Sequence, residues 1–370
     1  LPEKSLTCKT STATSSLLYS SSFKRFTMLA HVLVRNSTPS NSFELREMPL
    51  PPVHSGEVRI KVSTFGLNYA DITARQGLYR ECPPLPCVIG YDVEGTIDEV
   101  AADVTGFVKG DKVFALTRFG GYAQYAVTQV KAVSHLPAHA PVGMGCALAT
   151  QCVTAYHSAV HAQNLLPGER VLIHAAAGGL GIALIQLALW KGCIVIGVVG
   201  GKEKADYIRS LGVQHVVNHH EISWYEYVIQ NLAGRVDVIF DNNGGSSVKK
   251  GKKILSAGGR LVTLGAAALD GKKGFINLLK LVIGFGYFSP IAWLARSQSL
   301  IGVNMLKVGD YRPDMLQASF KGVFQLYNDG VLSPRIDKVF SQNELDKAHA
   351  YVEGRKTIGK VVVRWDSQGT

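Results

Sequence analysis

The rhythm of apolar and polar positions changes part-way along the chain. Up to about residue 135, apolar residues come in short alternating runs bounded by Gly and Pro. Such runs occur at Val58, Ile60 and Val62, at Val93 to Val100, at Val113-Phe114-Ala115 after the Gly110-Asp111 turn, and at Tyr122 to Val127 after Gly120-Gly121. Side chains alternate across a strand, so this stretch predicts an all-β region, a barrel or a sandwich. From about residue 153, continuous apolar runs alternate with helical stretches. Val171-Leu172-Ile173 precedes a helix ending at Trp190, and Ile194 to Val199 precedes one ending near Leu211. Further strands are predicted at Val216-Val217, Val236 to Phe240 and Arg260 to Leu264. This alternation predicts βαβ units and a parallel sheet covered on both faces. The tail returns to mixed patterning, with helices near 313–328 and 343–353 and a last strand at Lys360 to Val363.

Phe275 to Ala295 is a run of 21 residues carrying one charge, Lys280. A membrane-spanning helix needs about 20 predominantly apolar residues. Lys280, Gly284, Gly286, Ser289 and Pro290 interrupt this run, so it reads as a buried or substrate-covering segment, with shallow contact at a membrane surface as the alternative.

Composition narrows the class. The chain has 370 residues, 46% of them hydrophobic and 18% charged, which describes a folded protein with room for two domains. Its six cysteines are dispersed without a C-x-x-C, so they read as free thiols rather than a zinc knuckle or a redox dithiol. The formal charge is +11, yet no zinc-finger spacing or aromatic RNA-binding signature accompanies it, and no nucleic-acid partner is expected. The run Lys249-Lys250-Gly251-Lys252-Lys253 reads as a solvated helix face. Residues 1–27 hold 12 Ser or Thr, four bases and one acid, the composition of a transit-like leader. The alternative is untranslated leader sequence ahead of Met28. The expected location is cytoplasmic, or mitochondrial or plastid if the leader is a transit peptide.

The clearest chemical signal is Ala176-Ala177-Gly178-Gly179-Leu180-Gly181, between a buried strand and an apolar helix. Gly178 allows close approach of a pyrophosphate, Gly181 allows close helix–strand packing, and the helix N-terminus supplies N–H donors. The second strand opens into Gly200-Gly201-Lys202-Glu203-Lys204. Glycines stand where an NAD site usually places its ribose-binding acid, and the lysines suit the 2′-phosphate of NADP. Two alternatives stay open: the lysines face solvent at a helix start, or Glu203 is the ribose acid. No G-x-S-x-G or H-E-x-x-H occurs. Gly354 to Lys360 nearly matches a P-loop, but Val361 replaces its Ser/Thr.

With these residues, 28–366 resembles the medium-chain dehydrogenase/reductase superfamily, and within it the zinc-free quinone oxidoreductases. The matching runs are Gly66-Leu67-Asn68-Tyr69-Ala70-Asp71, Arg75-Gln76-Gly77-Leu78-Tyr79, Pro83 to Pro86 and Gly90-Tyr91-Asp92-Val93-Glu94-Gly95. They continue with Gly110 to Val113, Gly120 to Ala123, Val153-Thr154-Ala155-Tyr156 and His174 to Gly181. The run at Arg75 to Tyr79 and the apolar insertion further resemble the vesicle amine transport protein branch. The resemblance implies an α/β architecture: a GroES-like β-barrel domain, 28–152, completed by 303–370, and a Rossmann doubly wound parallel-sheet domain, 153–302, with the insertion at 275–295.

It also implies NADPH as cofactor and hydride transfer to a quinone or α,β-unsaturated carbonyl. An enoyl-thioester reductase and a weakly catalytic, nucleotide-binding adaptor at a membrane surface are the alternatives. Asn68 stands where zinc alcohol dehydrogenases carry a cysteine ligand, and Tyr91-Asp92 replaces a His-Glu pair, so no metal is expected. Tyr79 and Asn68 are implied pocket donors, with Asp71 orienting their turn. The alternatives are a packing role for Tyr79, a ribose contact for Asn68 and a turn cap at Asp71. Implied cofactor contacts are Thr154 and Asn68 near the nicotinamide, Ala177, Gly178, Gly179, Leu180 and Gly181 at the pyrophosphate, and Gly200, Lys204 and His219 at the 2′-phosphate. Gly265 and Lys360 complete the set, each with a plain alternative as turn glycine and surface lysine. A homodimer is the implied assembly.

Overall fold

The computed structural model describes residues 27–265, 283–285 and 289–366. Of the expected leader, 1–27, only Thr27 falls within them, and most of the expected insertion, 275–295, lies outside the described residues. Two sheets organise the chain. The first has seven strands and takes residues from both ends of it. Its spine is β3 (Glu57–Leu67), where Val58, Ile60 and Val62 alternate inward before both faces become buried. β3 pairs antiparallel with β4 (Asp92–Val100), and also with β6 (Tyr125–Gln129) and β15 (Lys360–Arg364). β5 (Lys112–Leu116), β7 (Val133–His135) and β14 (Ile336–Ser341) complete it in the order β14-β15-β3-β4-β5-β7. A hairpin of β1 (Thr27–Leu33) and β2 (Phe43–Pro49) lies against this sheet. Ile60, Phe65, Val93 and Phe114 are fully buried, each contributing about 1.5–3 kcal/mol by the apolar area removed from water.

The strand expected at Tyr122 to Val127 starts later, at Tyr125. Tyr122 and Ala123 pair with β1 instead: the His31 N–H donates to the Tyr122 carbonyl at 2.9 Å, and Ala123 bridges Ala30. Tyr122 is thereby buried, its hydroxyl 3.2 Å from Nε2 of His349.

The second sheet is parallel throughout. Its strands are β8 (Arg170–His174), β9 (Ile194–Val199), β10 (His215–Asn218), β11 (Val236–Asp241), β12 (Leu255–Thr263) and β13 (Ser299–Gly302), ordered β10-β9-β8-β11-β12-β13. The order reverses between β8 and β11, the switch point where doubly wound sheets bind nucleotides. Helix Gly179–Trp190 is apolar on almost every side because it is enclosed: Ile182, Leu184, Ile185 and Leu187 are all fully buried. A continuous helical segment, 144–161, packs against it, and helix Pro313–Asn328 packs on that segment in turn, so the tail covers the nucleotide-sheet side before returning to the β sheet.

The lysine-rich helix Ser246–Ile254 has the expected form. Val248, Gly251 and Ile254 face inward, while Lys249, Lys250 and Lys253 are exposed. Among the described residues, no helix is long and apolar enough to cross a membrane.

Candidate functional site

The turn from β8 into helix Gly179–Trp190 is shaped by close backbone contacts. Ala175 takes a left-handed conformation at φ 52°, and the Gly178 N–H closes the turn on the Ala175 carbonyl at 2.9 Å. A Cβ at Gly181 would lie 2.4 Å from that same oxygen, so only glycine brings the helix this close to the strand. A Cβ at Gly179 would strike Oε1 of Gln151, whose helix passes directly beneath. Leu180 and Gly178 are half-buried at the rim, and Ala177 is buried. The first N–H groups of such a helix have no intrahelical acceptor and point outward, a cradle suited to a pyrophosphate. Thr154 sits in the helical segment below, where its hydroxyl donates to the Thr150 carbonyl at 2.6 Å. Gly265 lies just beyond β12 and is exposed.

At the end of β9, Gly200 makes room for two imidazoles. A Cβ there would lie 2.8 Å from Cε1 of His219 and 3.1 Å from Nε2 of His220. Oδ1 of Asn218 accepts the Gly201 N–H at 3.0 Å and holds this loop to β10. Nζ of Lys204 donates to the Arg355 carbonyl at 2.5 Å, drawing the tail over the same spot. Burial pushes the Lys204 pKa down, and the nearby Arg355 adds to that push against the acids Asp337 and Glu203. The His219 pKa is lowered by burial first and then by His220, Arg355 and Lys204. Lysine, arginine and two histidines thus gather at one corner, where only Lys204 is half-buried and the other three are exposed, a set of donors suited to an anion. Lys202 is not part of it: it pairs with Asp206 at 2.5 Å on the surface. Arg355 and His220 carried no recognisable signal in the sequence, because only the fold brings them to the end of β9.

The opposite end of the cradle is a buried polar floor. Asn68 directly follows β3, and its backbone N–H donates to Oδ2 of Asp71 at 2.8 Å, capping helix Tyr69–Arg75. Nδ2 of Asn68 donates to Oδ2 of Asp92 at 2.6 Å. The Lys360 ammonium donates to both, 2.8 Å from Oδ1 of Asn68 and 2.8 Å from Oδ2 of Asp92. Lys360, Asp92 and Asp71 are fully buried. The surface-lysine alternative for Lys360 is therefore incorrect. Gly66 creates the space, since a Cβ there would lie 1.9 Å from Oδ1 of Asp92 and 2.3 Å from Cε of Lys360. Burial lifts Asp71 to about 8, with the charge of Asp92 adding to the rise. Its carboxyl therefore holds its proton at neutral pH.

Tyr79 lies half-buried above this floor, its ring edge-on to Tyr91 at 6.0 Å between centroids. Burial raises its pKa, so it remains a phenol. Tyr91 in turn packs on Phe119 at 5.1 Å.

The two ends meet through one dipeptide. The Gly359 N–H donates to the Ala177 carbonyl at 3.0 Å, bridging to the glycine turn, and the next residue is Lys360 in the polar floor. Fold and chain order also agree with known proteins. Residues 54–138 match the alcohol dehydrogenase GroES-like domain family, and residues 211–363 match the zinc-binding dehydrogenase family. The chain belongs to the medium-chain dehydrogenase/reductase superfamily, in its quinone oxidoreductase and VAT-1 branch.

Over 322 residues it is 30% identical to the mouse quinone oxidoreductase, covering 85% of this chain and 91% of that protein. Its identity to the zebrafish synaptic vesicle membrane protein VAT-1 homolog is 29%, over 85% of this chain and 65% of that longer protein. The solved structure of mycobacterial Rv1454c complexed with NADPH superposes with a TM-score of 0.78 at 24% identity, covering 91% of this chain and 99% of that one. These likenesses make the chain an oxidoreductase of the superfamily's general nicotinamide-dependent type.

Proposed function

We propose that the protein is an NADPH-dependent, zinc-independent reductase of quinones or α,β-unsaturated carbonyls. The carrying observation is the Gly359-Lys360 dipeptide, which joins the glycine turn directly to the Asn68–Asp92–Lys360 floor. The residues fit the nucleotide: the cradle at Ala177 to Gly181 would hold the pyrophosphate, while Lys204, Arg355 and His219 beside Gly200 would hold the 2′-phosphate. NADPH supplies the hydride when bound. In this reading Thr154, Asn68 and Gly265 would serve the nicotinamide end, with Lys360 acting through Asn68. The mycobacterial NADPH complex supports the cofactor assignment.

The zinc of the matched family does not fit here. The carboxylate of Asp92 already has a fully buried ammonium at 2.8 Å, a fixed cation where a metal would need that oxygen, and Asn68 is occupied by the same pair. Without a metal, the acceptor itself must delocalise the incoming electrons, which a quinone or enone does. The Tyr79 phenol then donates to the oxygen that gains charge. The neutral Asp71 orients Asn68 from below.

The test is NADPH oxidation by the purified chain with 1,2- and 1,4-quinones and a panel of enones and enoyl thioesters, with NADH in parallel. Turnover with a quinone or enone that favours NADPH supports the assignment. Tight NADPH binding with no acceptor reduced would overturn it, and reduction confined to enoyl thioesters would move it to that chemistry.

One observation favours a second reading, contact with an anionic membrane surface. Helix Pro290–Arg296 exposes Ile291 and Leu294, at 76% and 81% of their full area, beside the exposed Lys249, Lys250 and Lys253. Lys252 lies 4.9 Å over the Trp293 ring and joins the two helices. An apolar ridge flanked by lysines suits an interfacial site. Salt-sensitive flotation with phosphatidylserine vesicles, lost on Ile291→Ser with Leu294→Ser, supports it; no flotation removes it.

A further inference from the structure

We propose that Cys82 and Cys87 form a redox-active dithiol, closed to a disulfide by hydroperoxides, in the loop that follows Tyr79. Their sulfurs lie 4.0 Å apart in a hydrogen-bonding contact, although the spacing in sequence gave no sign of a redox pair. Both are half-buried and free. The other described cysteines, Cys146, Cys152 and Cys193, are buried, and burial pushes each of their thiols up, to about 12 for Cys152 and about 11 for Cys193. Reactivity needs thiolate character and access together, and among the described cysteines this pair alone is placed for both.

The backbone holds the thiols together. Cys87 is fixed by two hydrogen bonds to Leu33, one in each direction at 2.8 and 3.1 Å. Cys82 closes a turn on the Tyr79 carbonyl at 3.1 Å. The intervening Pro83-Pro84-Leu85-Pro86 leaves few conformations, so little loop entropy is lost on joining the ends. A disulfide requires the sulfurs to close to about 2.05 Å, a shift shared by two side chains. Hydrogen bonding from the Cys82 thiol lowers the pKa of Cys87, which marks Cys87 as the attacking sulfur, while Cys82 is pushed up.

The chemistry balances. The Cys87 thiolate attacks the outer oxygen of a hydroperoxide, breaking the O–O bond to give a sulfenic acid and, after protonation, an alcohol or water. The Cys82 sulfur then attacks the sulfenic sulfur and displaces water. Two thiols lose two electrons and two protons, the hydroperoxide gains both, and one S–S bond forms. None of this depends on which substrate the reductase site takes.

The experiment treats the purified full chain with hydrogen peroxide, then alkylates and digests it with trypsin. The peptide beginning at Glu81 is expected to lose two hydrogens and both alkylation sites, with recovery in dithiothreitol. Cys82→Ser is expected to stop at a sulfenic acid on Cys87 that dimedone traps, and Cys87→Ser to oxidise at Cys82 about tenfold more slowly. Both cysteines remaining alkylated, pairing of either one with a different cysteine, or oxidation to sulfonic acid without a disulfide would each overturn the proposal.

Discussion

The Lys360 ammonium lies 2.8 Å from Oδ2 of Asp92, and neither side chain has any exposed surface. Such a pair is costly to desolvate, and removing one partner leaves a buried charge alone, at a cost of about 3–5 kcal/mol. Asp92→Leu and Lys360→Met are each expected to lower stability by that order in urea unfolding. The double variant should recover most of the loss, because no charge is then stranded. If the single losses simply add in the double variant, the pair is not coupled as its geometry requires.

Gly66 sets the room for that pair. With a Cβ position 1.9 Å from Asp92 and 2.3 Å from Lys360, Gly66→Ala forces both from their places. Overpacking of this kind costs about 1–3 kcal/mol. A lowered Tm together with weaker NADPH binding in calorimetry is expected, since the displaced Lys360 is joined to the dinucleotide turn through Gly359. An unchanged Tm would show that the floor relaxes freely.

Asp71 makes stability fall as pH rises. Its pKa goes from an ordinary 3.8 to about 8 in the folded chain, so between those values the native state keeps a proton that the unfolded state has released. Stability from this group is full below about pH 4 and declines by up to about 1.4 kcal/mol per pH unit until about pH 8, where it levels off. Asp71→Asn removes the titration. The variant is therefore expected to gain on the wild type between pH 5 and pH 8 in denaturant midpoints; a constant difference would refute the shift.

If the proposed assignment holds, the basic corner at the end of β9 discriminates between the cofactors. Lys204→Ala and Arg355→Ala each remove a positive partner of a 2′-phosphate, and each is expected to raise the NADPH KM about tenfold or more, a loss of about 1.4 kcal/mol, while leaving the NADH KM nearly unchanged. Lys202→Ala serves as the control, because Lys202 is engaged by Asp206 outside this corner. An equal rise for both cofactors would place the two residues away from the phosphate.

The legibility of the fold and of the site differed for a physical reason. A parallel strand buried on both faces writes a continuous apolar run, and Gly178 to Gly181 punctuate the next turn, so β8, its helix and β9 were readable from local pattern. β6 was displaced because Tyr122 and Ala123 are alternating residues whose partner, β1, lies far away in sequence. The site is assembled from such distant pieces. Lys204 meets the carbonyl of Arg355 across 151 positions, and Lys360 reaches Asn68 across 292. A lysine in the last strand reads as a surface residue until the missing Cβ of Gly66 is seen to make a pocket for it. Cys82 and Cys87 come together through the Leu33 bridge, which local spacing does not reveal.

Tyr79 is where the proposed chemistry is most exposed to refutation. Its phenol stays protonated because burial raises its pKa, and its ring packs edge-on against Tyr91. Tyr79→Phe keeps that ring and deletes only the hydroxyl, so stability should change by less than about 1 kcal/mol. If the hydroxyl donates to the oxygen that gains charge during hydride transfer, kcat for a quinone is expected to fall about 100-fold with the NADPH dissociation constant unchanged. The wild-type profile should also lose activity as pH rises through about 8, when Asp71 ionises beneath Asn68, and Asp71→Asn should flatten that limb. A Tyr79→Phe enzyme with wild-type kcat would leave the tyrosine as packing alone and require another donor above Asn68.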